Sequence, residues 1–322
     1  MNTLKFPIGV TDYKELVTGG YIHLDKTKWI EAVHYAGYTG FFREPRFGKS
    51  LFISMLEYFF DINQKHQFEM LFGNTYIGKN PLKTANIYRV LKLDFSKVYV
   101  STDETTKNGF NKVIHQAIID YLKKYPEVNQ PEYAHHFTED NDPNEKITYL
   151  TMKHLYKEHN LCILVDEYDR LMRKYAKRLY EKEEYFKLSY IRSFFANIKI
   201  ATGSGVVDKI FMTGQKFISL DGFTSGFNIM YILNGGLEEK EFMAFSKEEV
   251  LHLIRLVPGT KNKEEELLDR IGQWHKEYHY YPLEYAIRKS DILGQYNPTV
   301  VNQFLQYYLD HQTPPDDSVS LI

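Results

Sequence analysis

The sequence predicts an α/β domain built on a mostly parallel sheet, followed by a smaller helical subdomain. Short apolar runs alternate with helical stretches over the first two thirds of the chain. One run, Leu161-Cys162-Ile163-Leu164-Val165, is continuously apolar, as a strand covered by helices on both faces must be. After about Gly236 the strand pattern stops while the helical period continues.

In chain order, a short helical stretch from Thr11 to Thr18 is broken by Gly19-Gly20, and Tyr21-Ile22-His23-Leu24 alternates like a strand. A helix is expected from Lys26 to about Ala36. Tyr38 to Phe42 then reads as a strand, Arg43 to Gly48 as a loop, and Lys49 to Phe60 as a helix with Leu51, Phe52, Met55, Leu56, Phe59 and Phe60 at helical spacing. A second apolar run, Val90 to Phe95, leads to a helix from about Asn108 to Lys124. Tyr125 to Pro143, rich in Pro, Asn, Glu and His, is expected to be a surface loop. Asn144 to Glu158 places Ile147, Leu150, Thr151 and Leu155 on one face and leads into the continuous run. A long charged helix around Glu181 to Ile200 precedes a third run, Lys209 to Thr213, closed by Gly214. Lys247 to Leu256, Lys263 to Glu277, Leu283 to Leu293 and Pro298 to Tyr308 read as helices. The expected division is a domain over 1–240, a helical lid over 241–312 and a disordered tail over 313–322.

Composition narrows the function. The chain has 322 residues, with 40 Lys and Arg against 42 Asp and Glu, and this near balance does not suggest a protein that coats nucleic acid or an anionic membrane. Its 43% hydrophobic content excludes wholesale disorder. The one cysteine, Cys162, cannot form an internal disulfide or a thiolate zinc cluster, which favours a reducing compartment. No leader pattern opens the chain and no long apolar window spans a membrane, so a soluble, cytoplasmic protein is expected.

The sharpest local signal is Arg43-Glu44-Pro45-Arg46-Phe47-Gly48-Lys49-Ser50. In a P-loop, placed between a strand and a helix, loop amides cradle phosphates, the Lys reaches the terminal ones and the hydroxyl binds Mg²⁺. Gly48, Lys49 and Ser50 stand where that loop needs them, while Arg43 replaces its leading Gly. The tripeptide alone also fits a helix start with a solvated Lys; the strand before it and the amphipathic helix after it favour an anion site. Such a site needs a second strand ending in an acid for Mg²⁺ beside a carboxylate that polarises water. Leu161 to Val165 followed by Asp166-Glu167 has that form, although the acids also suit a helix cap. Thr213, closing a third strand, is a candidate reader of the terminal phosphate, or an ordinary turn residue.

With these residues the chain resembles the AAA-ATPase-like proteins of bacteria and their relatives, which often carry a C-terminal PD-(D/E)xK-type nuclease domain. The resemblance rests on Pro7-Ile8-Gly9-Val10-Thr11-Asp12-Tyr13, on Tyr21 with Asp25-Lys26-Thr27, and on Arg43 to Ser50, where an Arg in the leading position is usual for the family. Val165-Asp166-Glu167-Tyr168-Asp169, Met212-Thr213-Gly214, Ser225-Gly226-Phe227-Asn228 and Tyr296-Asn297-Pro298 complete it. It implies a three-layer P-loop ATPase core with an additional strand, ATP and Mg²⁺ as ligands, and a helical lid. The nucleotide loop is then Arg43, Pro45, Arg46, Phe47, Gly48, Lys49, Ser50 and Leu51. Lys49 contacts the phosphates, Ser50 and Asp166 hold Mg²⁺, and Glu167 activates water. Two positions depart from the family pattern: Leu171 replaces a Pro, and Glu277 stands where a Gly is usual in the aromatic stretch Trp274 to Tyr281. The chain ends soon after the Asn297-Pro298 helix, so the nuclease domain of longer relatives is expected to be absent.

Other groupings carry less. Glu238-Glu239-Lys240 with Asp221 mimics a nuclease acid pair but lacks a flanking strand. His275 and His279 have helical ligand spacing without a third ligand, and His135-His136, which as neighbours would point apart on a helix or strand, are expected to be loop residues. The 26 Tyr and 22 Phe suit a core better than base stacking, and Arg173 to Lys187 reads as a solvated face. Arg192, Arg255, Arg270 and Arg288 all remain open as an arginine finger. The expected function is an ATP-binding, ATP-hydrolysing switch with an unidentified protein partner or a second copy of itself. The alternative is a catalytically weak or inactive interaction module.

Overall fold

The computed structural model describes residues 4–152, 158–173, 189–215, 229–233, 242–276 and 295–315. Among the described residues, five strands, Tyr38–Phe42 (β1), Arg89–Asp94 (β2), Leu161–Asp166 (β3), Val207–Gly214 (β4) and Tyr231–Ile232 (β5), form one sheet in the order β2-β3-β4-β1-β5. Every neighbouring pair is parallel. β4, late in sequence, therefore lies between β1 and β3 as an additional strand. All six residues of β3 are buried, which accounts for its unbroken apolar run.

By packing, the chain divides into two units. One comprises Met1–Lys26, Pro45–Phe52 and Asn234–Ile322; the other comprises Thr27–Glu44 and Ile53–Leu233. The second holds the whole sheet. Its helix Asp103–Lys124 packs on β2, and Ser189–Gly203 packs on β4 and on helix Pro143–Leu150. Leu91, Leu93, Phe110, Ile114, Ile163 and Phe194 belong to the shared core. The long helix over 103–124 is well specified locally. Thr102 caps its start by accepting from Thr105 N, Asp103 and Glu104 occupy the first turn, and Lys123 and Lys124 the last.

The first unit has its own apolar cluster. Helices Lys247–Leu256, Glu264–Lys276 and Pro298–His311 contribute Leu253, Ile254, Leu268, Ile271, Val301 and Phe304 to it. Ser246 and Glu249 form a reciprocal capping box at the start of the first of these helices.

Several elements differ from the sequence expectation. Residues 21–24 form no strand; Ile22 N donates to Lys5 O, and Ile22 and Leu24 pack against the helical cluster, which explains their alternation without a sheet. The expected loop after Lys124 contains a 3-10 stretch, Pro131–Phe137, and buries Tyr125, Val128 and Phe137. His135 and His136, expected in a loop, lie in that stretch with their ring centroids 3.8 Å apart. The helix expected from Asn144 spans Pro143–Leu150, and residues 153–157, with Leu155, lie outside the described residues. β5 has two residues, too few to carry a periodic signal.

Asp221, Ser225 to Asn228, Glu238 to Lys240, Glu277 to Leu293 (with His279 and Arg288), the charged stretch from 174 to 187 and the tail from 316 lie outside the described residues, as do the side chains of Trp274 and His275. Among the described residues, no helix is long and apolar enough to cross a membrane.

Candidate functional site

In an open parallel sheet all strands end on one edge, where such folds bind their ligands. The register sets Phe42 beside Gly214, Val165 beside Met212 and Asp94 beside Asp166. Asp166 and Thr213 therefore close adjacent strands, and the Thr213 hydroxyl donates to Asp166 Oδ1 at 2.5 Å. Glu167 N donates to the same oxygen at 3.0 Å. Both side chains are buried, Thr213 completely. Two donors on Oδ1 hold the carboxylate in place.

Glu167 has φ of +51°, in the left-handed region, so the chain turns sharply as it leaves β3. That turn brings Tyr168 N back to Thr213 O at 2.9 Å, and Arg170 Nη1 lies 3.6 Å from Glu167 Oε2. Asp169 is fully buried, and its Oδ1 accepts from Gln215 N at 3.2 Å. A Cβ on Gly214 would lie 2.6 Å from that oxygen and 2.8 Å from the Tyr168 ring, so no side chain fits there. Arg43 N donates to Gly214 O at 3.1 Å, extending the β1–β4 ladder to the start of the loop. Asp94 faces another task, accepting from Ser96 N and Ser96 Oγ at the turn after β2.

In the other unit, the loop segment Pro45–Phe52 contains two residues in the left-handed region, Arg46 and Gly48, each at φ of +74°. Gly48 suits that φ, and a Cβ there would lie 3.1 Å from Met243 Cε, which would have to shift slightly. Phe47 and Lys49 are buried, Ser50 and Leu51 half-buried, and Pro45 and Arg46 exposed. Lys49 opens helix Lys49–Phe60, whose N-terminal amides and dipole favour an anion. The loop carbonyls are held from the far end of the chain. Asn297 Nδ2 donates to Pro45 O at 3.4 Å, and Thr299 Oγ1 donates to Arg46 O at 2.8 Å. Phe242 meets Phe52 edge to face, and buried Lys26 donates to both Glu249 carboxylate oxygens, at 2.6 and 2.7 Å, and to Ala244 O.

The candidate residues thus divide between the units: Arg43, Asp166, Glu167 and Thr213 in one, Pro45 to Leu51 in the other. Asp169 and Asn297 lie in stretches that carry the family resemblance, with no role assigned from sequence, whereas Met243 and Thr299 have no local signal in the sequence. Among the described residues no group of three or more His, Cys, Asp or Glu is arranged to hold a metal. Mg²⁺ needs no such cage, since it keeps its waters and takes one or two protein oxygens plus phosphates. Ser50 and Asp166 offer oxygens of the right type. Cys162 is no nucleophile, because complete burial pushes its thiol well above the ordinary range.

An all-parallel five-stranded sheet with helices in its crossovers and an additional strand between β1 and β3 is an α/β fold of the P-loop NTPase-like class. The family model of AAA-ATPase-like proteins, described as "Predicted AAA-ATPase", matches residues 7–224, and the chain belongs to that family. No curated protein and no solved structure matches it.

Proposed function

We propose that this protein binds ATP with Mg²⁺ and hydrolyses it, acting as a nucleotide switch. The observation that carries this reading is the joint occurrence of Gly48-Lys49-Ser50 after β1 and Asp166-Glu167 at the end of β3, in a sheet whose β4 separates those strands. Arg43, Pro45, Arg46, Phe47, Gly48 and Leu51 shape the loop, and Lys49 contacts the phosphates. Ser50 and Asp166 hold Mg²⁺, which neutralises charge on the phosphate oxygens when bound. Glu167 takes the proton of the attacking water. Thr213 acts through Asp166, holding its Oδ1 by a hydrogen bond so that the carboxylate would be oriented to hold Mg²⁺. The helical segment beyond residue 240 answers phosphate occupancy as a lid.

Isothermal titration of ATP-Mg²⁺, followed by phosphate release on the same samples, tests the assignment. Wild type is expected to bind and to release phosphate. Lys49→Ala is expected to lose binding. Glu167→Gln is expected to bind while its release rate falls by about 10² or more. Unchanged affinity in Lys49→Ala overturns the site. Absence of binding in wild type overturns the nucleotide reading in favour of an interaction module.

A further inference from the structure

A loop that presents its amides to a phosphate turns its carbonyls the other way, and those carbonyls need partners of their own. Here they find them at the start of helix Pro298–His311. Thr299 Oγ1 donates to Arg46 O at 2.8 Å, across a sequence separation of 253 residues. Asn297 has two tasks. Its Oδ1 caps the helix, accepting from Thr299 N at 3.0 Å and Val300 N at 3.4 Å, while its Nδ2 donates to Pro45 O at 3.4 Å. Arg46 is a non-glycine residue at φ of +74°, a conformation that persists only where surrounding structure enforces it. The enforcing element is rigid, because Val300, Val301, Phe304, Leu305 and Tyr308 are buried in the helical cluster.

We propose that Thr299, supported by Asn297, is a positioning residue for the phosphate loop. It clamps the Arg46 carbonyl so that the backbone through Gly48 and Lys49 holds its phosphate-receiving shape. This rests on the nucleotide reading above and deepens it. By linkage, phosphate bound at the loop stabilises the clamp, so the start of helix Pro298–His311 senses occupancy.

Three variants of the full chain test this: Thr299→Val, which removes the donor at nearly constant shape; Thr299→Ser, which restores it; and Asn297→Asp, which keeps the helix cap but sets a carboxylate against Pro45 O. The readouts are amide hydrogen exchange of residues 45–52 without nucleotide, and the Kd, KM and kcat for ATP-Mg²⁺. In Thr299→Val, loop exchange is expected to speed up about tenfold and Kd and KM to rise about tenfold, the scale of one neutral hydrogen bond. Exchange over 300–308 and kcat stay within about twofold, since neither the fold nor the chemical step uses the hydroxyl. Thr299→Ser returns both readouts to wild type, and Asn297→Asp shifts them in the Val direction. Unchanged loop exchange and affinity in Thr299→Val, with wild type binding ATP, overturns the clamp and leaves the nucleotide reading standing. A fall in kcat alone also overturns it. Faster loop exchange in Thr299→Val, in a wild-type background that binds no ATP, overturns the nucleotide reading and upholds the clamp on the loop.

Discussion

Thr213 and Asp166 share one hydrogen bond in a place almost without water, and that fixes what replacing either would do. Thr213→Val keeps the shape but leaves the buried carboxylate one donor short. It is expected to lower stability by about 1–3 kcal/mol, with Thr213→Ser recovering most of the loss, read from the urea midpoint. Gly214→Ala is expected to destabilise by a similar ~1–3 kcal/mol through overpacking, since its Cβ would meet Asp169 Oδ1 at 2.6 Å and the Tyr168 ring at 2.8 Å. Polar residues closing strands are legible in a sequence; which one bonds which acid is not. The pairing of Thr213 with Asp166 follows from the β3–β4 register, which shifts between Leu161 and Cys162. A slip of one residue would put Thr213 on the other face.

At the scale of elements, a charge network around buried Asp61 and half-buried Glu57 and Lys124 ties the end of helix Lys49–Phe60 to helix Asp103–Lys124 and to β2. Lys124 pairs with Glu57 at 3.0 Å and with Asp61, and Lys92 pairs with Glu57 at 3.2 Å. The Tyr125 hydroxyl donates to Asp61 Oδ1 and accepts from Val90 N. Burial acts to raise the Glu57 pKa, but Lys124 and Lys92 outweigh it and hold the carboxyl below its usual range. A depressed folded pKa gives stability that is present above the unfolded value of about 4.3 and lost as pH falls through the folded one. His115, held down by burial and the Lys146 charge, and His34, held down by burial and Lys209, have the same sign in an earlier window. Each disfavours its protonated form in the fold, so stability starts to fall below about pH 6.5. Lys124 works in the opposite direction: burial lowers its pKa, but Glu57 and Asp61 outweigh it and raise it, so its contribution is lost only in strong alkali. Urea midpoints across pH are expected to drop in two acid stages. In Lys124→Met the later stage is expected to shrink, because Glu57 loses a cation that holds its pKa down.

At the scale of the whole molecule, each unit has an apolar cluster of its own. Phe304 is buried in the helical one, and Phe304→Ala is expected to cost about 3–5 kcal/mol through the cavity it leaves. Amide exchange should then lose protection over 242–276 and 295–315 while β2, β3 and β4 keep theirs. Equal loss in the strands would show that the clusters do not act independently.

Elements whose signal is local can be read directly from the residues. Tyr38 to Phe42, Lys49 to Phe60 and Lys247 to Leu256 fall where period and punctuation put them, and the Gly-Lys-Ser triplet and the Asp-Glu pair are readable because their chemistry lies in consecutive residues. Tertiary structure alone decided the strand order, the two-residue β5, and the use of Ile22 and Leu24 as packing residues in a segment that pairs with no sheet. It alone joined Thr299 to Arg46 across most of the chain. The physical reason is that a local pattern sets which face a residue offers, whereas its partner depends on how distant segments pack, and no periodicity in the sequence records that.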